Sequence, residues 1–89
     1  MSGRPAFVYL LRCRDGSLYC GWTYDLDKRL AAHRSGRGGR YTRSRLPVEL
    51  ALAIELPDES SARREEARIK RLPRRDKLAL VDAAGAPNP

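Results

Sequence analysis

The chain has 89 residues and a formal net charge of +7, with 18 lysines and arginines against 11 acidic residues. This length supports one domain with a modest hydrophobic core and excludes a second lobe. Most of the positive charge comes from arginine, whose planar guanidinium matches phosphate, so the composition predicts a polyanionic partner. The alternative is that these charges only solvate the surface.

We expect neither a signal peptide nor a transmembrane segment, because no continuous apolar run precedes Phe7 and none reaches the length needed to cross a bilayer. The expected location is the cytoplasm, with no membrane association and with both cysteines reduced. Residues 1–5 and 83–89 carry glycine and proline and are expected to be flexible. Residues 6–82 are then a single domain.

Two antiparallel strands are predicted over residues 7–13 and 17–22. Both segments are rich in β-branched, aromatic and aliphatic residues, and the break Arg14-Asp15-Gly16 between them is typical of a hairpin turn.

Two registers of this hairpin are possible. A two-residue turn would put Tyr9 and Tyr19 on opposite faces, because side chains alternate along a strand. A three-residue loop, with Gly16 left-handed in a bulge, pairs Leu11 with Tyr19 and puts both tyrosines on one face. We favour the three-residue loop because it separates polar from apolar residues more cleanly. The apolar face then consists of Val8, Leu10, Leu18, Cys20 and Trp22.

A helix is predicted to follow, with Thr23 or Asp25 as its N-cap and an end near Ser35. Arg29 and His33 are four residues apart, so they lie on the same edge of this helix. Its apolar stripe consists of Leu26 and Leu30, and the glycines predicted to end it and to begin a loop are Gly36, Gly38 and Gly39.

Residues 36–47 are predicted to form a basic loop, since they contain four arginines and no acidic residue. Such a loop can follow a phosphate backbone while Tyr41 stacks on a base. The alternative is a disordered surface loop with dispersed charge. The predicted nucleic-acid contacts are Arg37, Arg40, Tyr41, Arg43, Arg45 and, further along the chain, Lys70.

A third strand and two helices are predicted for the remainder. Apolar residues alternate strictly with others from Val48 to Leu56, which predicts a strand with one core face, ended by Pro57. The next helix begins after Asp58 or Ser60 and runs to about residue 72. Its predicted inward residues are Ala62, Ile69 and Leu72; Pro73 fits the first turn of a last helix that carries Leu78, Leu80 and Val81.

Two neighbouring glutamates could supply an acidic group to a site. Helical periodicity puts Glu65 near the centre of the apolar stripe and Glu66 about 70° away, at its boundary. A metal-binding carboxylate needs a hydrated rim, so the pattern favours Glu66 and predicts that Glu65 is more buried. The ordinary alternative is a surface ion pair with Arg63 or Lys70.

The order and spacing of these motifs resemble the GIY-YIG nuclease domain over nearly the whole chain. The motifs that carry the resemblance are Val8-Tyr9, Tyr19-Cys20-Gly21, Arg29 with His33, and Glu66-Ala67-Arg68-Ile69-Lys70. Residues 36–50 are also similar to the small standalone bacterial members, which are described as endonucleases.

The resemblance implies an α+β fold, with a three-stranded antiparallel sheet flanked by helices in the order β-β-α-β-α-α. It also implies a metal-dependent phosphodiester hydrolase, an endonuclease acting on DNA with one Mg²⁺ or Mn²⁺ ion. Tyr9, Tyr19, Arg29, His33 and Glu66 match the catalytic residues of the family, and Glu66 matches the metal ligand.

The chain departs from the family pattern at three positions. Phe7 stands where the first motif has glycine, and Trp22 stands where the repair-nuclease branch has lysine. No asparagine follows Glu66 at the position that some members use, so that role is empty or is taken by Lys70 or Lys77.

Hydrolysis of a phosphodiester needs a positioned water, a base and charge stabilisation on the phosphoryl oxygens. We expect Tyr19 to orient and deprotonate the water, Arg29 to clamp a nonbridging oxygen, and Tyr9 and His33 to hydrogen-bond around it. An unperturbed phenol has a pKa of about 10, so activity is expected to rise toward alkaline pH. His33 is the rival base.

Two other functions compete with the nuclease. The first is a noncatalytic nucleic-acid-binding module that keeps the fold and the basic loop. The second is a small structural protein of a ribonucleoprotein particle, for which size and basicity suffice. For the nuclease, the absence of an evident base-reading element predicts a nonspecific or structure-selective substrate preference, with DNA favoured over RNA and any recruiting protein unknown.

Overall fold

The computed structural model describes residues 3–85. It has the predicted α+β architecture, in which a three-stranded antiparallel sheet of order β2-β1-β3 is flanked by helices. The strands and helices are β1 Ala6–Arg12, β2 Leu18–Thr23, α1 Leu26–Arg34, α2 Arg40–Arg43, β3 Glu49–Leu56, α3 Glu59–Lys70 and α4 Arg74–Gly85. The predicted order of elements is confirmed except for α2, a single helical turn inside the segment that was predicted to be a loop.

The hairpin has the three-residue connection that the sequence predicts. The N–H of Cys13 donates to the carbonyl of Ser17, and Leu11 pairs with Tyr19. Gly16 has a φ of 85°, in the left-handed region that glycine adopts at little cost. Asp15 stabilises the turn because its carboxylate accepts hydrogen bonds from the N–H and the hydroxyl of Ser17.

Each face of the sheet carries its own apolar cluster. The first includes Val8, Leu10, Cys20, Ala62 and Ile69, so α3 covers this face. The second cluster lies on the tyrosine face and consists of Tyr9, Leu11, Cys13, Leu30 and Val48, with Tyr19 packed against it. Cys13 and Cys20 lie in different clusters as free thiols, which follows from their opposite positions on the hairpin.

The prediction that β3 has one core face is wrong at its beginning. A register shift between Leu10 and Leu11 leaves Ala51 as an extra residue of β3. Such a bulge moves the residues before it to the other face, so Val48 joins the tyrosine-face cluster. Leu50 is 36% exposed and Leu52 is buried in the first cluster.

Side-chain caps define the starts of α1 and α3. Asp25 accepts a hydrogen bond from the N–H of Lys28 at the start of α1, and Asp58 accepts one from the N–H of Ser61 at the start of α3. Each cap satisfies a backbone donor that has no partner within the helix. Of the alternatives left open by the sequence, Asp25 and Asp58 are therefore the N-caps.

The chain ends fall partly outside the described residues. Helix α4 continues to Gly85, beyond the predicted domain boundary at residue 82, so residues 83–85 are helical rather than part of a flexible tail. The other tail residues, 86–89, and residues 1–2 of the predicted lead-in lie outside the described part of the chain. Between residues 3 and 85, every helix is too short or too polar to cross a membrane.

Candidate active site

Tyr9, Tyr19 and His33 form a cluster of three rings on one face of the sheet. The hydroxyl of Tyr9 lies 2.9 Å from Nε2 of His33. The ring centroids are 6.4 Å apart for Tyr9 and Tyr19, and 5.4 Å apart for Tyr19 and His33. The strand register puts both tyrosines on this face, and α1 brings His33 to them.

Arg29 joins the cluster from the preceding turn of α1. Its Nε donates a long hydrogen bond of 3.4 Å to the hydroxyl of Tyr9, and its Nη2 donates to the carbonyl of Gly38 over 2.8 Å. Within residues 3–85, Nη1 has no hydrogen-bond partner, so this corner of the guanidinium is available to an anion. The structure thus brings together four of the five predicted catalytic residues.

The members of the cluster differ in their access to solvent. Tyr9 is 1% exposed and His33 is fully buried, whereas Tyr19 and Arg29 are partly exposed. Both ring nitrogens of His33 have partners, since Nδ1 lies 2.8 Å from Oγ1 of Thr42. A substrate or water can therefore reach Tyr19 and Arg29 first, while His33 is enclosed behind Tyr9.

Burial and Arg29 together keep the imidazole neutral. Desolvation lowers the pKa of His33 from its ordinary value of 6.5, and the positive charge of Arg29 lowers it further. Burial also raises the pKa of Tyr9, although its hydrogen bond with Arg29 opposes this effect. A neutral, enclosed imidazole fits a residue that orients Tyr9 better than it fits the base that deprotonates water.

This environment predicts a loss of stability in mild acid. The lowered pKa of His33 means that the unfolded chain binds its proton more tightly than the folded protein does. The stabilising contribution is complete above pH 6.5 and is lost as the pH falls toward the folded-state pKa. We expect the free energy of unfolding, measured in urea, to decrease from pH 7.5 to about pH 5.

The control for this prediction is the pH titration of the His33 imidazole. His33 is the only histidine in the chain, so its titration can be followed in the NMR spectrum without assignment ambiguity. Four carboxyl groups have lowered pKa values and lose their contributions only at lower pH: Asp15, Asp58, Glu59 and Glu65. An unfolding free energy that stays constant over this pH range would contradict the prediction.

Two glycines make room for the cluster. A Cβ on Gly21 would lie 2.6 Å from the hydroxyl of Tyr9 and 3.3 Å from a ring carbon of Tyr19. A Cβ on Gly38 would overlap the ring of His33 and would lie 2.7 Å from its Cα. Neither glycine has a positive φ, so both are required for space rather than for backbone conformation.

Residues 36–47, the predicted basic loop, form a basic segment that is more ordered than predicted because it contains α2. Tyr41 in this basic segment contacts the ring cluster of Tyr9, Tyr19 and His33. The ring of Tyr41 stacks on Tyr19 with centroids 5.7 Å apart, and the guanidinium of Arg45 lies 3.8 Å from its centroid. Arg45 also forms a 3.0 Å ion pair with Asp15 in the hairpin turn. A base stacking on Tyr41 would compete with these contacts. The remaining predicted contacts of this segment, Arg37, Arg40 and Arg43, are exposed.

The prediction that Glu65 is more buried than Glu66 is wrong. Their side chains are 25% and 21% exposed, so both lie at the boundary of the stripe. Glu65 accepts two hydrogen bonds of 2.8 Å from Arg68 and is thereby neutralised. Glu66 forms a looser contact of 3.3 Å with Lys70.

Within residues 3–85, no hydrogen bond or ion pair joins Glu66, the fifth predicted residue, to the other four. Burial raises the pKa of the Cys20 thiol to about 11, and the negative charge of Glu66 adds to this rise. Glu66 is thus near Cys20, the residue that follows Tyr19 in β2. No cluster of three or more histidine, cysteine or acidic side chains that could bind a metal ion occurs within residues 3–85.

Comparison with known proteins identifies the family. The sequence model of the family described as the GIY-YIG catalytic domain matches residues 5–79 of this chain. The chain belongs to the GIY-YIG family. GIY-YIG domains form a nuclease family that acts on nucleic acid, which agrees with the charge of this chain.

Similar GIY-YIG relatives are small bacterial proteins. The chain is 51% identical over 79 residues to a UPF0213 protein of Nitratidesulfovibrio vulgaris, covering 89% of this chain and 72% of that protein. It is 49% identical to a UPF0213 protein of Oceanobacillus iheyensis, covering 85% and 88%. The solution NMR structure of the UPF0213 protein from Bacillus halodurans is 43% identical and superposes with a TM-score of 0.62, covering 93% of this chain and 88% of that one. This chain therefore matches most of the length of each of these relatives.

Sequence reasoning missed two residues of this GIY-YIG site. Gly38 was assigned only to a loop, although its carbonyl binds Arg29 and its Cα packs against His33. Thr42 lies within residues 36–47, which were predicted only as a basic loop, although it is buried and bonded to His33. No local pattern distinguishes these positions, because both contacts depend on how the segment after α1 folds back.

Proposed function

We propose that the protein is an endonuclease that hydrolyses phosphodiester bonds in nucleic acid, with one divalent metal ion. The observation that carries the proposal is the convergence of Tyr9, Tyr19, Arg29 and His33 in one cluster, with hydrogen bonds joining three of them. A structural or scaffolding protein does not require a buried imidazole, two phenols and a guanidinium in this arrangement.

The proposed role of each residue in the cluster depends on how exposed its side chain is. Tyr19, the accessible phenol, orients the attacking water and, in its phenolate form, accepts the proton of that water as the oxygen approaches phosphorus. Arg29 binds a nonbridging phosphate oxygen through its free Nη1 and stabilises the charge that accumulates there. Tyr9 and His33 hold Arg29 and the water in position from the buried side.

A single carboxylate is compatible with a magnesium site. Mg²⁺ retains several waters and is often bound through one or two carboxylates together with substrate phosphates, so a larger cluster of protein ligands is not needed. Glu66 would be the protein ligand of Mg²⁺ or Mn²⁺, after release from Lys70. The ion, when bound, would supply Lewis-acid stabilisation of the phosphoryl and leaving oxygens.

The substrate class follows from charge rather than from base contacts. Arg37, Arg40 and Arg43 are exposed beside the cluster and have no acidic partner within residues 3–85. Arginines bind the phosphate backbone without reading sequence. DNA is the proposed substrate, cleaved nonspecifically or at particular structures, with Lys70 and the basic segment as backbone contacts.

The test uses the two adjacent glutamates as a matched pair. We expect Glu66→Gln to reduce cleavage by roughly 100-fold or more, equivalent to about 3 kcal/mol, because it removes the metal ligand. Glu65→Gln, with a side chain of similar exposure on the same turn, should retain most of the activity. Cleavage of labelled single-stranded, duplex and branched DNA is measured with Mg²⁺, with Mn²⁺ and with EDTA.

The second candidate function is a noncatalytic nucleic-acid-binding module. The observation that favours it is the ion pair of Glu66 with Lys70, which engages the carboxylate that is the predicted metal ligand. In that case no substrate is cleaved with either metal, binding persists in EDTA, and both glutamine variants bind slightly more tightly because each loses a negative charge.

A further inference from the structure

Thr42, on the short helix α2, ends a chain of hydrogen bonds that begins at Arg29. Nε of Arg29 donates to the hydroxyl of Tyr9 over 3.4 Å, and that hydroxyl lies 2.9 Å from Nε2 of His33. Nδ1 of His33 lies 2.8 Å from Oγ1 of Thr42. Thr42 is 1% exposed, so its hydroxyl is unavailable to substrate and faces only the protein.

The directions of these bonds follow from their chemistry. A guanidinium can only donate, so the oxygen of Tyr9 accepts from Arg29. Within the described residues, the only other polar partner of this hydroxyl is Nε2 of His33, and a buried hydroxyl needs an acceptor for its hydrogen. Tyr9 therefore donates to Nε2, which must be unprotonated.

The neutral imidazole then carries its hydrogen on Nδ1 and donates it to Oγ1 of Thr42. The opposite arrangement, in which Thr42 donates to Nδ1, would leave the buried hydrogen of Tyr9 without an acceptor. Thr42 is also buried, and within the described residues Nδ1 is the one hydrogen-bond partner of its hydroxyl, so one of the two hydroxyl hydrogens lacks an acceptor. A phenol is a stronger hydrogen-bond donor than an aliphatic hydroxyl, so Tyr9 takes the single unprotonated nitrogen of the ring.

We propose that Thr42 is a positioning residue that holds His33 in the Nδ1–H tautomer and thereby fixes the direction of the Tyr9 hydroxyl beside Tyr19. The catalytic value of this role rests on the proposed nuclease function, since Tyr9 must be directed only if it helps to orient the water. The alternative is that Thr42 merely fills space between α1 and α2.

The tautomer can be measured directly, because His33 is the only histidine. In protein labelled with ¹⁵N, the long-range proton–nitrogen correlations of the ring distinguish the two tautomers. We expect the Nδ1–H form in the wild type and in Thr42→Ser, which keeps the hydroxyl. In Thr42→Val, which has the same shape without an acceptor, we expect the ring to change to the Nε2–H form.

Cleavage kinetics give the second measurement. We expect Thr42→Val to lower kcat by roughly 10-fold with KM unchanged, and Thr42→Ser to stay near the wild-type kcat. A variant that only loosened packing would lower the unfolding midpoint without changing the tautomer. The backbone amide spectrum verifies that each variant is folded.

Two results would overturn the proposal. One is an Nε2–H tautomer in the wild type, which needs no variant to fold. The other is an unchanged tautomer in folded Thr42→Val. Failure of the nuclease proposal is distinguishable, because the tautomer is recorded without nucleic acid and inactivity of the wild type on every DNA tested would leave that measurement intact.

Discussion

Replacing Tyr19 with phenylalanine is expected to reduce phosphodiester cleavage by roughly 100-fold to 10,000-fold while DNA binding is retained. The hydroxyl of Tyr19 has no hydrogen-bond partner within residues 3–85, and the residue is partly exposed, so its loss leaves no buried polar group unsatisfied. The ring contacts with Tyr9, His33 and Tyr41 survive in the variant. The measurements are single-turnover cleavage of labelled DNA and binding of the same DNA in EDTA.

Tyr24→Phe is the matched control for this substitution. Tyr24 also carries a partly exposed phenol, but its hydroxyl donates to Glu59 and belongs to a different part of the surface, near Arg4. We expect Tyr24→Phe to cleave DNA at the wild-type rate. Equal cleavage by wild type and Tyr19→Phe would exclude Tyr19 as the base.

The pH profile separates Tyr19 from the rival base. A phenol base predicts a cleavage rate that rises between about pH 6 and pH 9 when chemistry limits the rate. An imidazole base would give a rate that no longer rises once the ring is neutral. Because the pKa of His33 is lowered, this plateau begins below pH 6.5 and continues to higher pH. A flat profile from about pH 6 to pH 9 would therefore favour His33.

Gly38→Ala is expected to give the largest loss of stability among glycine-to-alanine substitutions at the described glycines from Gly3 to Gly39. The new Cβ would overlap the ring and the Cα of His33, and because one of these atoms is backbone, no side-chain rotation relieves the overlap. The segment must then move away from α1, which also breaks the hydrogen bond from Arg29 to the Gly38 carbonyl. We expect a loss of about 3 kcal/mol or more in the free energy of unfolding.

Gly16→Ala provides the comparison. Gly16 has a positive φ, but a Cβ there would meet no atom closer than 4.0 Å, so only backbone strain opposes the alanine. That strain costs about 1–2 kcal/mol. Thermal unfolding distinguishes the two variants, because each kcal/mol lowers the midpoint by about 4–8 °C in a domain of this size. A smaller loss for Gly38→Ala than for Gly16→Ala would show that the loop adapts without disturbing His33.

Gly38→Ala also tests the candidate active site. If Gly38→Ala remains folded at low temperature, we expect cleavage to fall further than the stability loss alone explains, since Arg29 and His33 are both displaced. Gly21→Ala affects the other side of the cluster, where the new Cβ would push against the hydroxyl of Tyr9. Wild-type cleavage by folded Gly38→Ala would contradict a role for this cluster in the reaction.

The local part of the site could be predicted from the sequence. The residues on either side of Asp15-Gly16 predicted the three-residue loop, and alternation along the strands then put Tyr9 and Tyr19 on one face. The spacing of Arg29 and His33 put both on one edge of α1. These relations depend on strand and helix geometry over a few residues, which is why the pattern alone was sufficient.

Contacts between distant segments could not be predicted. The bulge at Ala51 depends on the pairing of β3 with β1, and it moved Val48 to the tyrosine face despite a regular alternation. The stacking of Tyr41 on Tyr19 depends on the folding of the basic segment against the hairpin. Helical periodicity also predicted too much burial for Glu65, because a bidentate ion pair with Arg68 keeps its carboxylate at the surface.

The sequence by itself determined the family, the order of the main elements, the shared face of Tyr9 and Tyr19 and the shared edge of Arg29 and His33. The tertiary structure decided which of those faces meet. It enclosed His33 between Tyr9 and Thr42, left Tyr19 accessible, and put Glu66 near Cys20. The physical reason is that backbone geometry repeats over a few residues, whereas burial and hydrogen bonding depend on packing between segments far apart in the chain.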